Sequence, residues 1–165
     1  MIAAVDVHYK DDGSATAAAV IFCDFTDFQP RETYLALISK TEAYLPGKFY
    51  KREMPCLMAV LGKIREDINT VIIDGYVDLG EKPGLGRYLW RALGCRKNII
   101  GVAKKYFRGT DAVKIVRGDS KQPLYITSAG FELQEAAGLI KNMHGMNRIP
   151  TFLKLADAAC RSAVR

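Results

Sequence analysis

The sequence predicts an α/β fold in which a mixed β-sheet is flanked by helices. Three observations predict it. Two apolar runs, Ile2 to Tyr9 and Ala15 to Phe25, are separated by the turn-forming cluster Lys10-Asp11-Asp12-Gly13-Ser14, which is the pattern of a β-hairpin. A segment of helical period, Arg52 to Arg65, is followed by a short apolar run, Thr70 to Asp74, that suits a buried strand. Further strands and helices then follow to the end of the chain. Hairpins first and a helix-crossed strand afterwards combine antiparallel and parallel pairing in one sheet, whose faces helices must cover.

Ile2 to Tyr9 is β-branched in part and reads as the first strand, with Ala15 to Phe25 as its partner. Thr33 to Ser39 alternates and reads as a third. A loop surrounds Pro46-Gly47. Arg52 to Arg65 then carries Met54, Leu57, Met58, Leu61 and Ile64 at helical spacing. Pro55 is compatible only with a first turn, so this helix is expected to start close to Glu53. Thr70 to Asp74 is the fourth strand and Leu85 to Leu93 the second helix, with Trp90 expected in the core. Ile99 to Ala103, Ala112 to Val116 and Leu124 to Thr127 are further strands. Glu132 to Met143 is a helix, and Pro150 to Val164 a last one. No repeat or linker divides the chain, so residues 1–165 are expected to form one domain.

Hydrophobic residues are 49% and charged residues 25% of the 165, which excludes disordered, collagen-like and low-complexity classes. The longest apolar stretch, Ala15 to Cys23, falls well short of the roughly 20 residues of a membrane span. Asp6 precedes any long apolar run, so the start lacks the form of a signal peptide, and a cytoplasmic location is expected. Cys23, Cys56, Cys95 and Cys160 form no Cys-x-x-Cys and are expected to be reduced, mostly buried thiols. His8 and His144 are too few for a histidine-rich zinc site. The net charge of +6, from 24 Lys and Arg against 18 Asp and Glu, permits phosphate binding without establishing it. Lys48, Lys51 and Arg52, and the group Lys82, Arg87, Arg91, Arg96 and Lys97, read equally as phosphate contacts or as solvated surface.

Four acids stand out by position. Asp6 interrupts the first strand, Glu53 opens the first helix, Asp74 ends the buried fourth strand and Asp157 sits in the last helix. A buried carboxylate costs several kcal/mol unless compensated. Taken singly, Asp6 could pair with a lysine, Glu53 could favour a helix N-terminus, Asp74 could start a turn and Asp157 could face solvent. Taken together, a shared divalent cation serves all four, and hard oxygen ligands favour Mg²⁺ or Mn²⁺. Such ions activate water and stabilise a leaving oxygen in phosphodiester cleavage. The order of elements and this distribution of acids resemble the ribonuclease H-like nucleases.

At these residues the sequence resembles the endonuclease V family of deoxyinosine-directed repair nucleases. Asp6-Val7-x-Tyr9 resembles its first-strand motif. Tyr44-Leu45-Pro46-Gly47 and Arg52-Glu53-x-Pro55 resemble its wedge loop and following helix. Ile73-Asp74-Gly75, Ile100-Gly101-Val102-Ala103-Lys104 and Thr127-Ser128-Ala129-Gly130 are similar to later blocks. Arg148-Ile149-Pro150 with Leu155-Ala156-Asp157 resembles the C-terminal one. The resemblance implies that Asp6, Glu53, Asp74 and Asp157 hold the metal and that Lys104 stands near the scissile phosphate. It implies that Tyr44 is the wedge beside an extruded base, with Pro46 in the same loop. Gly47 and Gly75 are implied to let the main chain approach that base. The implied reaction is Mg²⁺- or Mn²⁺-dependent hydrolysis of DNA 3′ to deoxyinosine, with some relatives acting on inosine in RNA. No organic cofactor or membrane is implied.

The chain departs from the family where His-Gly is replaced by Tyr76-Val77. Leu79 to Gly86 also lacks the family's His-Pro-Arg, and Ser128-Ala129-Gly130-Phe131 replaces Ser-Pro-Gly-His. The family usually carries a further segment before the first strand. These departures bear on base specificity and rate more than on the four acids. Two competing readings follow: a structure-selective nuclease of ribonuclease H-like fold, and a non-catalytic nucleic-acid binder.

Overall fold

Turn residues fold the first strand back on the second. Asp12 Oδ1 accepts the backbone N–H and the hydroxyl of Ser14, and Lys10 N–H donates to the Ser14 carbonyl, so β1 (Ile2–Tyr9) and β2 (Ala15–Phe22) pair antiparallel from Ile2↔Phe22 to Tyr9↔Ala15. The computed structural model describes residues 1–43 and 45–162. Tyr44 and the last residues of the expected final helix, to Val164, therefore lie outside the described residues. The remaining elements are β3 (Glu32–Ile38), α1 (Phe49–Leu61), β4 (Thr70–Asp74), β5 (Asp78–Leu79), β6 (Lys82–Pro83), α2 (Leu85–Ala92), β7 (Asn98–Ala103), β8 (Val113–Ile115), β9 (Leu124–Ala129), α3 (Leu133–Asn142) and α4 (Thr151–Ser162). The β5–β6 ribbon, absent from the sequence reading, lies in the segment where the chain departs from its family.

The main sheet has the order β3-β2-β1-β4-β7-β9-β8. The pairs β1–β4 and β4–β7 are parallel and the others antiparallel, which is the expected mixed sheet. Alternate residues of the central strands enter opposite layers. Ala3, Val5, Val71, Ile73 and Ile99 face Cys56, Leu57, Val60 and Leu89 of α1 and α2. Ile2, Ala4, Ile72 and Ile100 face Ala136, Ile140, Phe152 and Ala156 of α3 and α4. Burial on both faces explains why these strands read as continuous apolar runs. Alanines dominate β2, and their small side chains let α1 and α4 approach its two sides.

Three expectations need correction. α1 starts at Phe49, so Glu53 lies a full turn inside it rather than at its N-terminus, and Pro55 lies in its interior. Pro55 removes the bond that residue 55 would donate to the Lys51 carbonyl, but both residues are exposed, where water takes over that carbonyl. The buried stripe of α1 is Glu53, Cys56, Leu57 and Val60, whereas Met58 of the expected face is exposed. Of the thiols, Cys56 and Cys160 are buried but Cys23 and Cys95 are exposed, because the latter two sit in turns. Trp90 is half-buried, packed against the α1–α2 layer with the Arg87 guanidinium 5.1 Å from its ring.

Two features fix chain segments outside the strands. Buried Arg117 donates to the carbonyls of Lys141, Met143, Gly145, Asn147 and Arg148, which shapes the whole α3–α4 connection. Gly101 of β7 lies beneath the segment that leaves β4. A Cβ there would stand 2.6 Å from both the Gly75 carbonyl oxygen and Thr127 Oγ1, the hydroxyl that accepts the Val77 N–H at 2.9 Å. Gly101→Ala is therefore expected to destabilise the fold by about 1–3 kcal/mol, read as a lower urea midpoint. An unchanged midpoint would show that the Gly75 segment yields freely.

Candidate active site

The site is built where β1, β4, β7 and α4 meet. Val5 of β1 pairs with Ile73 of β4, and Asp74 pairs with Val102 of β7, so the residues that follow Val5 and Ile73 are the two neighbouring acids Asp6 and Asp74. The alternation that sends Ala4 and Ile72 toward α4 sends these two carboxylates the same way. Asp157 comes from α4. One oxygen of Asp6, one of Asp157 and the Cys160 sulfur lie within 4.8 Å of one another. Asp6, Asp74, Lys104 and Asp157 all line a cavity of about 270 Å³.

Cations hold two of these acids. Lys104 Nζ donates to Asp74 Oδ2, and Arg161 Nε donates to Asp157 Oδ1 at 2.7 Å across one helical turn. The other two have no ion pair among the described residues. Asp6 Oδ1 accepts the Val7 N–H at 2.8 Å. Burial, outweighing that bond and joined by the charges of Asp74 and Asp157, raises Asp6 to about 6. Glu53 approaches from the opposite layer, on α1. It does not line the cavity, yet it is only 6% exposed and its Oε2 is buried without a hydrogen-bond partner. Burial first, then the charges of Asp6 and Asp74, raise it to about 8. Arg52 does not neutralise it by an ion pair. That guanidinium lies 3.9 Å over the ring of Tyr9.

A resident divalent cation fits these residues. Glu53 offers an orphaned buried oxygen, and Asp6 and Glu53 crowd negative charge without a paired cation. The donors are carboxylate oxygens, which suit Mg²⁺ or Mn²⁺. Cys160 does not change that chemistry: burial, Asp6 and Asp157 push its thiol up to about 12.

A second cavity, about 250 Å³, adjoins the first through Asp74. Gly47 and Gly75 line it with Phe49, Tyr50 and Tyr76. Gly47 has φ 74° and Gly75 φ 141°, and both conformations favour glycine. The Gly75 N–H is engaged within the protein, donating to the Val102 carbonyl at 3.1 Å. Pro46 lies in the exposed turn before Gly47 and lines neither cavity. The sequence reading did not single out Arg161, Cys160, Phe49, Tyr50 or Tyr76 for the site. The Asp157-x-x-Cys160-Arg161 spacing was the available signal for the first two; the aromatic residues gave none.

Among the described residues no helix is long and apolar enough to cross a membrane. The sequence profile of the family described as Endonuclease V matches residues 1–126. An endonuclease V of Nostoc punctiforme is 33% identical over 178 aligned positions, covering 94% of this chain and 80% of its own length. One of Xanthomonas campestris pv. campestris is 32% identical over 111, covering 67% of this chain and 46% of its own length. The chain thus spans about half the length of the first curated relatives it matches. An endonuclease V of Ciona intestinalis, solved in complex with a 24mer DNA containing an inosine followed by a ribo-adenosine, superposes with a TM-score of 0.79. That likeness covers 99% of this chain and 84% of the other at 16% identity, and it concerns the fold, which is ribonuclease H-like. With the profile over most of its length and a 33% identical relative along nearly all of it, this chain belongs to the endonuclease V family.

Proposed function

We propose that this protein is a metal-dependent endonuclease that hydrolyses a phosphodiester bond 3′ to deoxyinosine in DNA. The observation that carries the reading is Asp74, which lines both the acid-rich cavity and the glycine-lined one. That an acid implied in strand cleavage borders the cavity proposed for the base supports this reading.

Asp6, Glu53, Asp74 and Asp157 would hold Mg²⁺ or Mn²⁺. Such an ion, when bound, activates water and polarises a phosphoryl oxygen. The chain's own residues supply the rest. The Lys104 ammonium offsets negative charge growing on the phosphate, and Lys104→Ala is expected to cut single-turnover nicking about 10²-fold. Water adds across the bond from phosphorus to the 3′ oxygen, and a 3′-hydroxyl leaves. Gly47 and Gly75, with no side chain, let the flipped base enter the second cavity, whose aromatic walls stack on it. The wedge that replaces the stacking lost beside the extruded base is assigned to Tyr44, with Pro46 as a further contact to the DNA. Residues 1–165 work as one domain in a cytoplasmic setting.

The test is Mg²⁺-dependent nicking of a labelled duplex carrying one deoxyinosine, beside an undamaged duplex, a branched junction and an inosine RNA. Lesion-dependent nicking of the DNA is expected. Preference for the junction would replace this reading with structure selectivity. Salt-sensitive DNA binding with no product would replace it with a binder.

A further inference from the structure

We infer that Tyr76 is a positioning residue that ties the glycine-lined cavity to the loop carrying Lys104. The inference rests on the nuclease reading for its effect on rate, but the tie itself is read independently of activity.

Tyr76 follows Asp74 and Gly75 at the end of β4, and it helps line the cavity that those glycines define. Its hydroxyl is engaged by the segment after β7. It donates to the Lys105 carbonyl at 2.6 Å and accepts the Phe107 N–H at 3.1 Å. The Phe107 ring packs against the Tyr76 ring, with centroids 6.2 Å apart. The segment held this way follows β7 and has no strand or helix of its own up to β8.

The preceding carbonyl is held from another element. Arg148, between α3 and α4, donates to the Lys104 carbonyl and, at 2.7 Å, to that of Pro123. Two successive carbonyls, 104 and 105, are therefore each fixed by one side chain. Between these ties and β7 stands the residue whose ammonium meets Asp74.

A loop without regular structure places a long lysine side chain only as well as its backbone is fixed. Arg148 ties it to the residue before β9, and Tyr76 ties it to the segment that leaves β4. Tyr76 thus borders the cavity proposed for the base and also anchors the segment that follows Lys104.

Tyr76→Phe keeps the ring and removes the oxygen. Three results are expected. The Phe107 amide exchanges with solvent at least ~10-fold faster, because its acceptor is gone. Single-turnover nicking of the deoxyinosine duplex slows ~10-fold, while the enzyme concentration giving half the maximal rate changes less than ~2-fold. In a Lys104→Ala background the same substitution slows nicking by less than ~2-fold, because the group it positions is already missing. Unchanged Phe107 exchange in the folded variant overturns the tie, whatever the activity. Equal slowing in both backgrounds overturns the link to Lys104 and leaves a general structural effect. A wild-type protein that nicks nothing overturns the nuclease reading instead, and the exchange result still decides the tie.

Discussion

Asp74→Asn is expected to lower nicking of a deoxyinosine duplex by on the order of 10³-fold or more while leaving the fold intact. The carboxylate ends β4 in register with Val102 and lines both cavities. Its side chain is 36% exposed, so asparagine of the same shape disturbs little packing. The loss is one of charge. Asparagine still accepts a hydrogen bond from the Lys104 ammonium but carries no charge to pair with it, and it removes one of the four anionic oxygen donors that suit Mg²⁺. Thermal unfolding within a few degrees of wild type, together with lost nicking, is the outcome that assigns Asp74 to the chemistry. Turnover like that of the wild type would remove it from the active site. Global unfolding is not expected, because the buried residues that define β4 are Thr70 to Ile73.

How far the sequence carried this reading depended on what each signal measures. The sheet was legible because β4, β7 and the first half of β1 are buried on both faces and read as mainly apolar runs. The acids on β1, β4 and α4 were legible because a carboxylate within such a run needs a partner. The start of α1 was not. Pro55 signals a helix beginning, and only the tertiary setting, with that residue exposed, lets the helix run through it. The role of Arg117 was also hidden, since its acceptors are backbone carbonyls 24 or more residues away and carry no residue-type signal. Tyr76 read as the loss of a family histidine. Its contacts with Lys105 and Phe107 became visible only when the fold brought β4 beside β7.

Glu53→Gln is expected to stabilise the metal-free protein at alkaline pH and to flatten its pH dependence. The sign follows from proton counts. Glu53 sits near 4.5 when unfolded and at about 8 when folded, so between those values the folded protein binds more protons than the unfolded one. Stability therefore falls as pH rises through this window and is lowest above it. A carboxyl displaced that far destabilises the fold, once ionised, by on the order of 5 kcal/mol. Asp6, raised from 3.8 to about 6, adds in the same direction, but its charge is itself one cause of the Glu53 displacement, so the two contributions do not simply sum. Glutamine imitates the protonated acid in shape and removes the ionisation. In EDTA at pH 8.5 the variant should melt several degrees above wild type, and at pH 4.5 the two should coincide. Mg²⁺ at pH 8.5 should raise the wild-type midpoint more than that of the variant, because the variant lacks the Glu53 charge that the cation offsets. A wild-type midpoint that does not move between pH 5 and 8.5 in EDTA would show that Glu53 is already compensated within the protein. A cation would then not be needed to explain the carboxylate cluster.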